Sequence, residues 1–96
     1  MITKKDVIKK IIEKKPMLKK EYYIVNIGLF GSFSENNQTK DSDIDILVEF
    51  SKPIGWKFFA LEKYLEQIFS RKIDLLTKKS IKKQIKPFIL NQIIYL

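Results

Sequence analysis

Ninety-six residues predict one domain over 1–96 with no room for a second, and Ile, Leu, Val and Phe are frequent enough for a packed core rather than a disordered chain. With no cysteine and no histidine, the chain can form neither disulfides nor thiolate metal sites nor imidazole acid–base pairs, so chemistry must rest on carboxylates, hydroxyls, lysines or a bound ion. A formal charge of +8 suits a nucleoside triphosphate or an acidic protein; the lysines fall mainly on polar sides of helical patterns without an interleaved aromatic motif, so nucleic acid is not the expected partner.

In chain order, residues 3–15 predict a helix. Thr3 with Asp6 forms a capping-box-like start, and Val7, Ile8, Ile11 and Ile12 make its apolar stripe. Pro16 disfavours helical geometry in the residue before it, so the helix is expected to end there. Tyr22 to Phe30, rich in Tyr, Ile and Val, predicts a strand running into Gly31-Ser32. Phe33 to Ser42 is polar and suggests a short helical turn followed by a loop. A second strand is expected over Ile44 to Phe50, broken by Lys52-Pro53-Ile54-Gly55. Trp56 to Phe69 predicts a long helix with Phe58, Leu61, Leu65 and Ile68 on one side. Lys72 to Thr77 predicts a third strand, and Ser80 to Asn91 a last helix whose course Pro87 disturbs. Alternating helices and strands indicate an α/β or α+β sheet layered with helices. No apolar run approaches the roughly 20 residues of a membrane span, and the N-terminus lacks a signal-peptide core. A soluble, cytoplasmic protein with no membrane partner is therefore expected.

The segment Asp41-Ser-Asp-Ile-Asp-Ile-Leu-Val carries the most chemistry. On a strand, Asp43 and Asp45 share one face while Ile44, Ile46 and Val48 enter the core. The two carboxylates then stand about 7 Å apart along the strand, with no basic residue between them. A divalent cation with a taste for hard oxygen ligands, such as Mg²⁺, would remove their repulsion, whereas without one they would be a solvated pair at a strand end. Gly31-Ser32 lies between an apolar strand and a helical turn. It reads either as a simple turn or as a phosphate cradle of free amides and a hydroxyl. Asp74, flanked by the inward Ile73 and Leu75, would join the other two acids if its strand pairs with 44–50. Otherwise it would form a salt bridge with Lys72 or Arg71.

These pieces resemble a known family. Leu29-Phe30-Gly31-Ser32, ten intervening residues, then Asp43-Ile44-Asp45-Ile46-Leu47-Val48 match the Gly-Ser-x10-Asp-x-Asp signature of the minimal nucleotidyltransferase domain, in the DNA polymerase β superfamily. Arg71-Lys72-Ile73-Asp74-Leu75-Leu76-Thr77 is similar to the family's third-carboxylate strand. The resemblance implies a small mixed sheet of about three to four strands packed with helices. It implies that Asp43, Asp45 and Asp74 bind two Mg²⁺ ions, that Asp74 also orients or deprotonates the attacking hydroxyl, and that Gly31 and Ser32 hold the β- and γ-phosphates of ATP. One departure stands out: where relatives commonly carry Arg-Ala-Arg-Gly after Gly-Ser, this chain has Phe33-Ser34-Glu35-Asn36, with Asn36 suited to a left-handed conformation.

Small stand-alone members of this family are usually antitoxins paired with a helical HEPN-type toxin. The implied activity is transfer of AMP from ATP to a tyrosine of that toxin. The alternative is a catalytically silent nucleotide-binding or toxin-binding module that neutralises by complex formation, a reading favoured by the missing loop arginines and opposed by the three retained acids. The apolar run Phe88 to Leu96 either docks a partner or packs back on its own sheet.

Overall fold

The computed structural model describes residues 2–96. Thr3 opens the first helix, α1 (Lys4–Tyr22), with a reciprocal cap: the Asp6 amide donates to the Thr3 hydroxyl at 3.2 Å and the Thr3 amide donates to the Asp6 carboxylate at 2.9 Å. Val7 and Ile11 are buried as expected, whereas Ile12 is more than half exposed. The helix does not end before Pro16 but runs six residues past it. An interior proline removes a ladder hydrogen bond and costs about 3 kcal/mol. Leu18, just beyond, is 1% exposed, and Met17 and Tyr22 pack on the same core. A buried leucine alone contributes about 2 kcal/mol, so these three side chains outweigh the proline, which itself lies exposed. Tyr23, at φ 57°, then turns left-handed and stops the helix. The first strand, β1 (Ile24–Phe30), therefore begins two residues later than expected.

β2 (Ile44–Phe50) pairs antiparallel with β1 and has the expected bounds. Helix α2 (Lys57–Phe69) crosses over to β3 (Ile73–Thr77), which lies parallel to β2. Leu61, Leu65 and Phe69 are its fully buried side chains; Phe58 and Ile68 pack at the margin. The expected helix over 80–91 is divided. A 3-10 turn covers Lys78–Ser80, and α3 (Lys86–Gln92) starts only where Pro87 falls in its first turn, the place where a residue without an N–H costs no hydrogen bond. A fourth strand, β4 (Ile94–Tyr95), pairs with Gly28 and Leu29 and completes a mixed sheet in the order β3-β2-β1-β4.

Strand alternation gives the sheet two different faces. Ile27, Leu29, Ile44, Ile46, Val48 and Ile73 point to the side covered by α1 and α2, which also contact each other. On the other side Phe30 and Leu47 are buried under Ile81, Ile89, Leu90 and Ile93 of the C-terminal segment. Gly28 makes room for this cover, since a Cβ there would stand 2.5 Å from Ile93 Cδ1. The apolar C-terminal run thus mainly packs back on its own sheet, leaving Phe88 and Tyr95 exposed. No helix among the described residues is long and apolar enough to cross a membrane.

Candidate active site

The turn after β1 is built on Gly31, at φ 74°. The Ser34 and Glu35 amides both donate to the Gly31 carbonyl, at 3.1 and 3.2 Å, the Ser34 hydroxyl donates to the same oxygen at 2.9 Å, and the Asn37 amide donates to Ser32 O at 3.0 Å. These bonds form the single helical turn expected from the sequence. Asn36 closes it at φ 59°, the left-handed conformation that suits an asparagine. Phe33 is completely buried, and Lys4 Nζ donates to the Ser34 carbonyl at 2.9 Å, tying the start of α1 to the turn.

Asp45 sits beside this turn. Its neighbour across β1 is Phe30, and its neighbour across β3 is Asp74, paired with it residue for residue. Ile44 and Ile46 on one strand and Ile73 and Leu75 on the other are buried, which turns both aspartates onto the opposite face. A Cβ built on Gly31 would overlap the Asp45 carboxylate, so glycine is required here both for its positive φ and for this close approach. The Asp45 carboxyl is pushed up to about 6, first by burial, then by the negative charge of Asp74, a hydrogen bond with Asp74 and the charge of Asp43. The partly buried Asp45 carboxyl thus holds its proton to higher pH than an ordinary aspartate, with the exposed Asp74 beside it opposing a second negative charge.

Asp43 lies just before β2, outside the strand ladder, and faces Lys72 Nζ at 4.0 Å. Lys72 therefore pairs with Asp43 and Arg71 donates to backbone carbonyls, so Asp74 takes neither of the salt bridges considered for it. Among the described residues no three acidic side chains converge on one point as a preformed ion cage. The structure brings Asp45 and Asp74 together and sets Asp43 close enough for its charge to act on Asp45. This donor set fits a divalent cation: hard oxygens only, with an excess of negative charge that a metal would neutralise in place of the proton. A separate groove of about 550 Å³, lined by Val48–Pro53 and Thr77–Lys79, opens at the far ends of β2 and β3 and contains none of these residues.

Residues 6–96 match the nucleotidyltransferase domain family. The chain belongs to that family. A Methanocaldococcus jannaschii protein provisionally named a protein adenylyltransferase is 47% identical, covering 92% of this chain and 93% of its own length. Protein adenylyltransferase MntA of Thermococcus cleftensis is 34% identical over 99% of this chain and 97% of its own. Among solved structures, a minimal nucleotidyltransferase superposes with a TM-score of 0.81 at 21% identity, covering 99% of this chain and 97% of that one. A toxin–antitoxin crystal structure with AMP-PNP gives 0.70 at 24% identity, over 86% and 69% respectively. In this nucleotidyltransferase the acids and the Gly31-Ser32 turn are the residues legible from sequence. Lys4 is not, because its partner lies thirty positions away. Arg71 carries one signal: it is the only arginine in the chain.

Proposed function

We propose that this nucleotidyltransferase is an antitoxin that transfers AMP from ATP to a tyrosine of a HEPN-type toxin, using Mg²⁺. The observation that carries the reading is the Asp45–Asp74 pair, in register on adjacent strands, with Asp45 pressed against Gly31. The Thermococcus relative, a protein adenylyltransferase matched over nearly its full length, supports protein as the acceptor class.

Asp43, Asp45 and Asp74 would hold two Mg²⁺ ions. When bound, those ions supply the positive charge that activates the α-phosphorus and stabilises the departing pyrophosphate. Gly31 and Ser32 receive the β- and γ-phosphates through backbone amides and the Ser32 hydroxyl. The tyrosine phenol oxygen bonds to the α-phosphorus as the bond from that phosphorus to the α–β bridging oxygen breaks. Pyrophosphate leaves with the electron pair, and the phenol proton passes to Asp74. The docked toxin delivers the hydroxyl, converting a bimolecular encounter into an oriented one.

Incubation with the cognate toxin and Mg·ATP tests this directly. Mass spectrometry is expected to show the toxin heavier by one or more AMP units on tyrosine, and the Asp43→Asn, Asp45→Asn double variant to remove the gain. A toxin silenced without added mass, equally well by the double variant, would establish the silent binding module instead.

A further inference from the structure

We propose that Arg71 is a positioning residue for the carboxylate site: it holds the turn after Gly31-Ser32, the segment that delivers Asp43 and the strand that carries Asp74 in one arrangement. This rests on the metal-binding reading of Asp43, Asp45 and Asp74.

Its guanidinium touches each of those three segments or adjoins it in sequence. Nη1 donates to the carbonyl of Ser42, the residue before Asp43, at 2.7 Å, and to the carbonyl of Thr39 at 3.4 Å. Its Cζ lies 5.6 Å from the ring centroid of Phe33, the buried residue that follows Ser32. Its own backbone leads into β3, with Asp74 three residues on, and its amide donates to Glu66 O at 3.3 Å, fixing it to the end of α2. Arg71 forms no ion pair among the described residues; Nη1 donates to backbone oxygens and the guanidinium carbon lies 5.6 Å from the Phe33 ring centroid.

The Asp43 segment needs such a support. β2 begins at Ile44, so no ladder hydrogen bond orders the residues before it. Thr39 and Ser42 form a small closed turn, with the Thr39 amide donating to Ser42 Oγ at 2.8 Å and the Ser42 amide donating to Thr39 O at 3.2 Å. Arg71 seizes both carbonyls at the ends of that turn and anchors it to β3. Residue choice agrees with geometry. Of nineteen basic residues, eighteen are lysine and this one is arginine. A planar guanidinium offers rigidly placed donors beside a ring; an ammonium on a flexible four-carbon stem holds such contacts less firmly. With Phe33 and Glu35 where relatives commonly have arginines, the positive charge reaches this loop from the connection between α2 and β3 instead, close to the Phe33 ring.

Support of this kind typically changes metal affinity by roughly 10- to 100-fold. The test measures Mg²⁺-dependent binding of a non-hydrolysable ATP analogue by calorimetry, together with amide hydrogen exchange over residues 39–43, in wild type, Arg71→Lys, Arg71→Ala and Asp43→Asn. Arg71→Lys keeps the charge and guards against a variant that fails to fold. It is expected to need roughly tenfold more Mg²⁺ for half-maximal binding and to exchange the Ser42 amide faster, with an unfolding midpoint close to wild type. Arg71→Lys with wild-type Mg²⁺ dependence and exchange overturns the positioning role. If Asp43→Asn also keeps wild-type Mg²⁺ dependence, the metal-binding reading itself fails; if Asp43→Asn loses it while Arg71→Lys does not, only the role of Arg71 fails.

Discussion

At the scale of single residues, the site is a balance of like charges, and that balance makes stability depend on pH. In the metal-free protein Asp45 titrates near 6, against 3.8 in an unfolded chain. Between those values the folded state keeps a proton that the unfolded state has released. The stability contributed by protonated Asp45 is therefore complete below pH 3.8 and lost as pH rises through 6. Asp6 and Glu49 pull the other way. A hydrogen bond from the Thr3 amide holds the Asp6 carboxyl below its ordinary range, and one from Lys78 does the same for Glu49, so their contributions are lost as pH falls. The difference between wild type and Asp45→Asn isolates the acid pair. In urea unfolding with EDTA, Asp45→Asn is expected to gain on wild type between pH 4 and pH 7, by about 1 kcal/mol once solvent screening of this half-exposed carboxyl is allowed for. A difference that does not change with pH would mean that burial and Asp74 do not raise the Asp45 carboxyl. Alternation made the outward face of Asp45 and of Asp74 legible, because buried apolar neighbours leave each acid one direction; their meeting depended on the pairing of β2 with β3, which alternation does not give. It gave no hint of Arg71 on Ser42, since that contact spans twenty-nine positions and depends on the parallel pairing of β2 with β3.

At the scale of elements, the long strands and α2 were legible because each has a strong apolar period. The end of α1 was not, because proline chemistry points to a break and only tertiary packing of Met17, Leu18 and Tyr22 shows why the helix continues. The proline is tolerated rather than favourable. Pro16→Ala restores a donor at an exposed helical position and is expected to raise the free energy of unfolding by about 1–3 kcal/mol, measured by urea denaturation. A loss of stability would show that the ring shapes a bend the core needs. The C-terminal segment was misread for the opposite reason. Two-residue β4 is too short to display alternation, and the 3-10 turn at Lys78–Ser80 interrupts a pattern that otherwise passes for one helix. Yet this segment buries Leu47 and Phe30, the apolar neighbours of the acid pair on the same side of the sheet. It thereby limits the polar notch to the end of the sheet where Gly31, Asp45 and Asp74 meet.

At the scale of the molecule, the parts divide the work. Helices α1 and α2 cover one face of a four-stranded sheet and leave the acid pair on the other, next to a glycine turn that can admit phosphate. On the proposed function, the +8 charge favours approach of a triphosphate, and the negative charge of the acids calls for a cation beside it. The proposed mechanism thus requires metal and nucleotide to bind together. Calorimetric titration of ATP into the protein, with Mg²⁺ and with EDTA, measures that coupling. Tight binding is expected only with Mg²⁺, and Asp45→Asn should remove most of the difference between the two conditions. Equal affinity with and without Mg²⁺, or a Mg²⁺ effect that survives Asp45→Asn intact, would contradict a metal-dependent nucleotidyl-transfer site at Asp45 and Asp74.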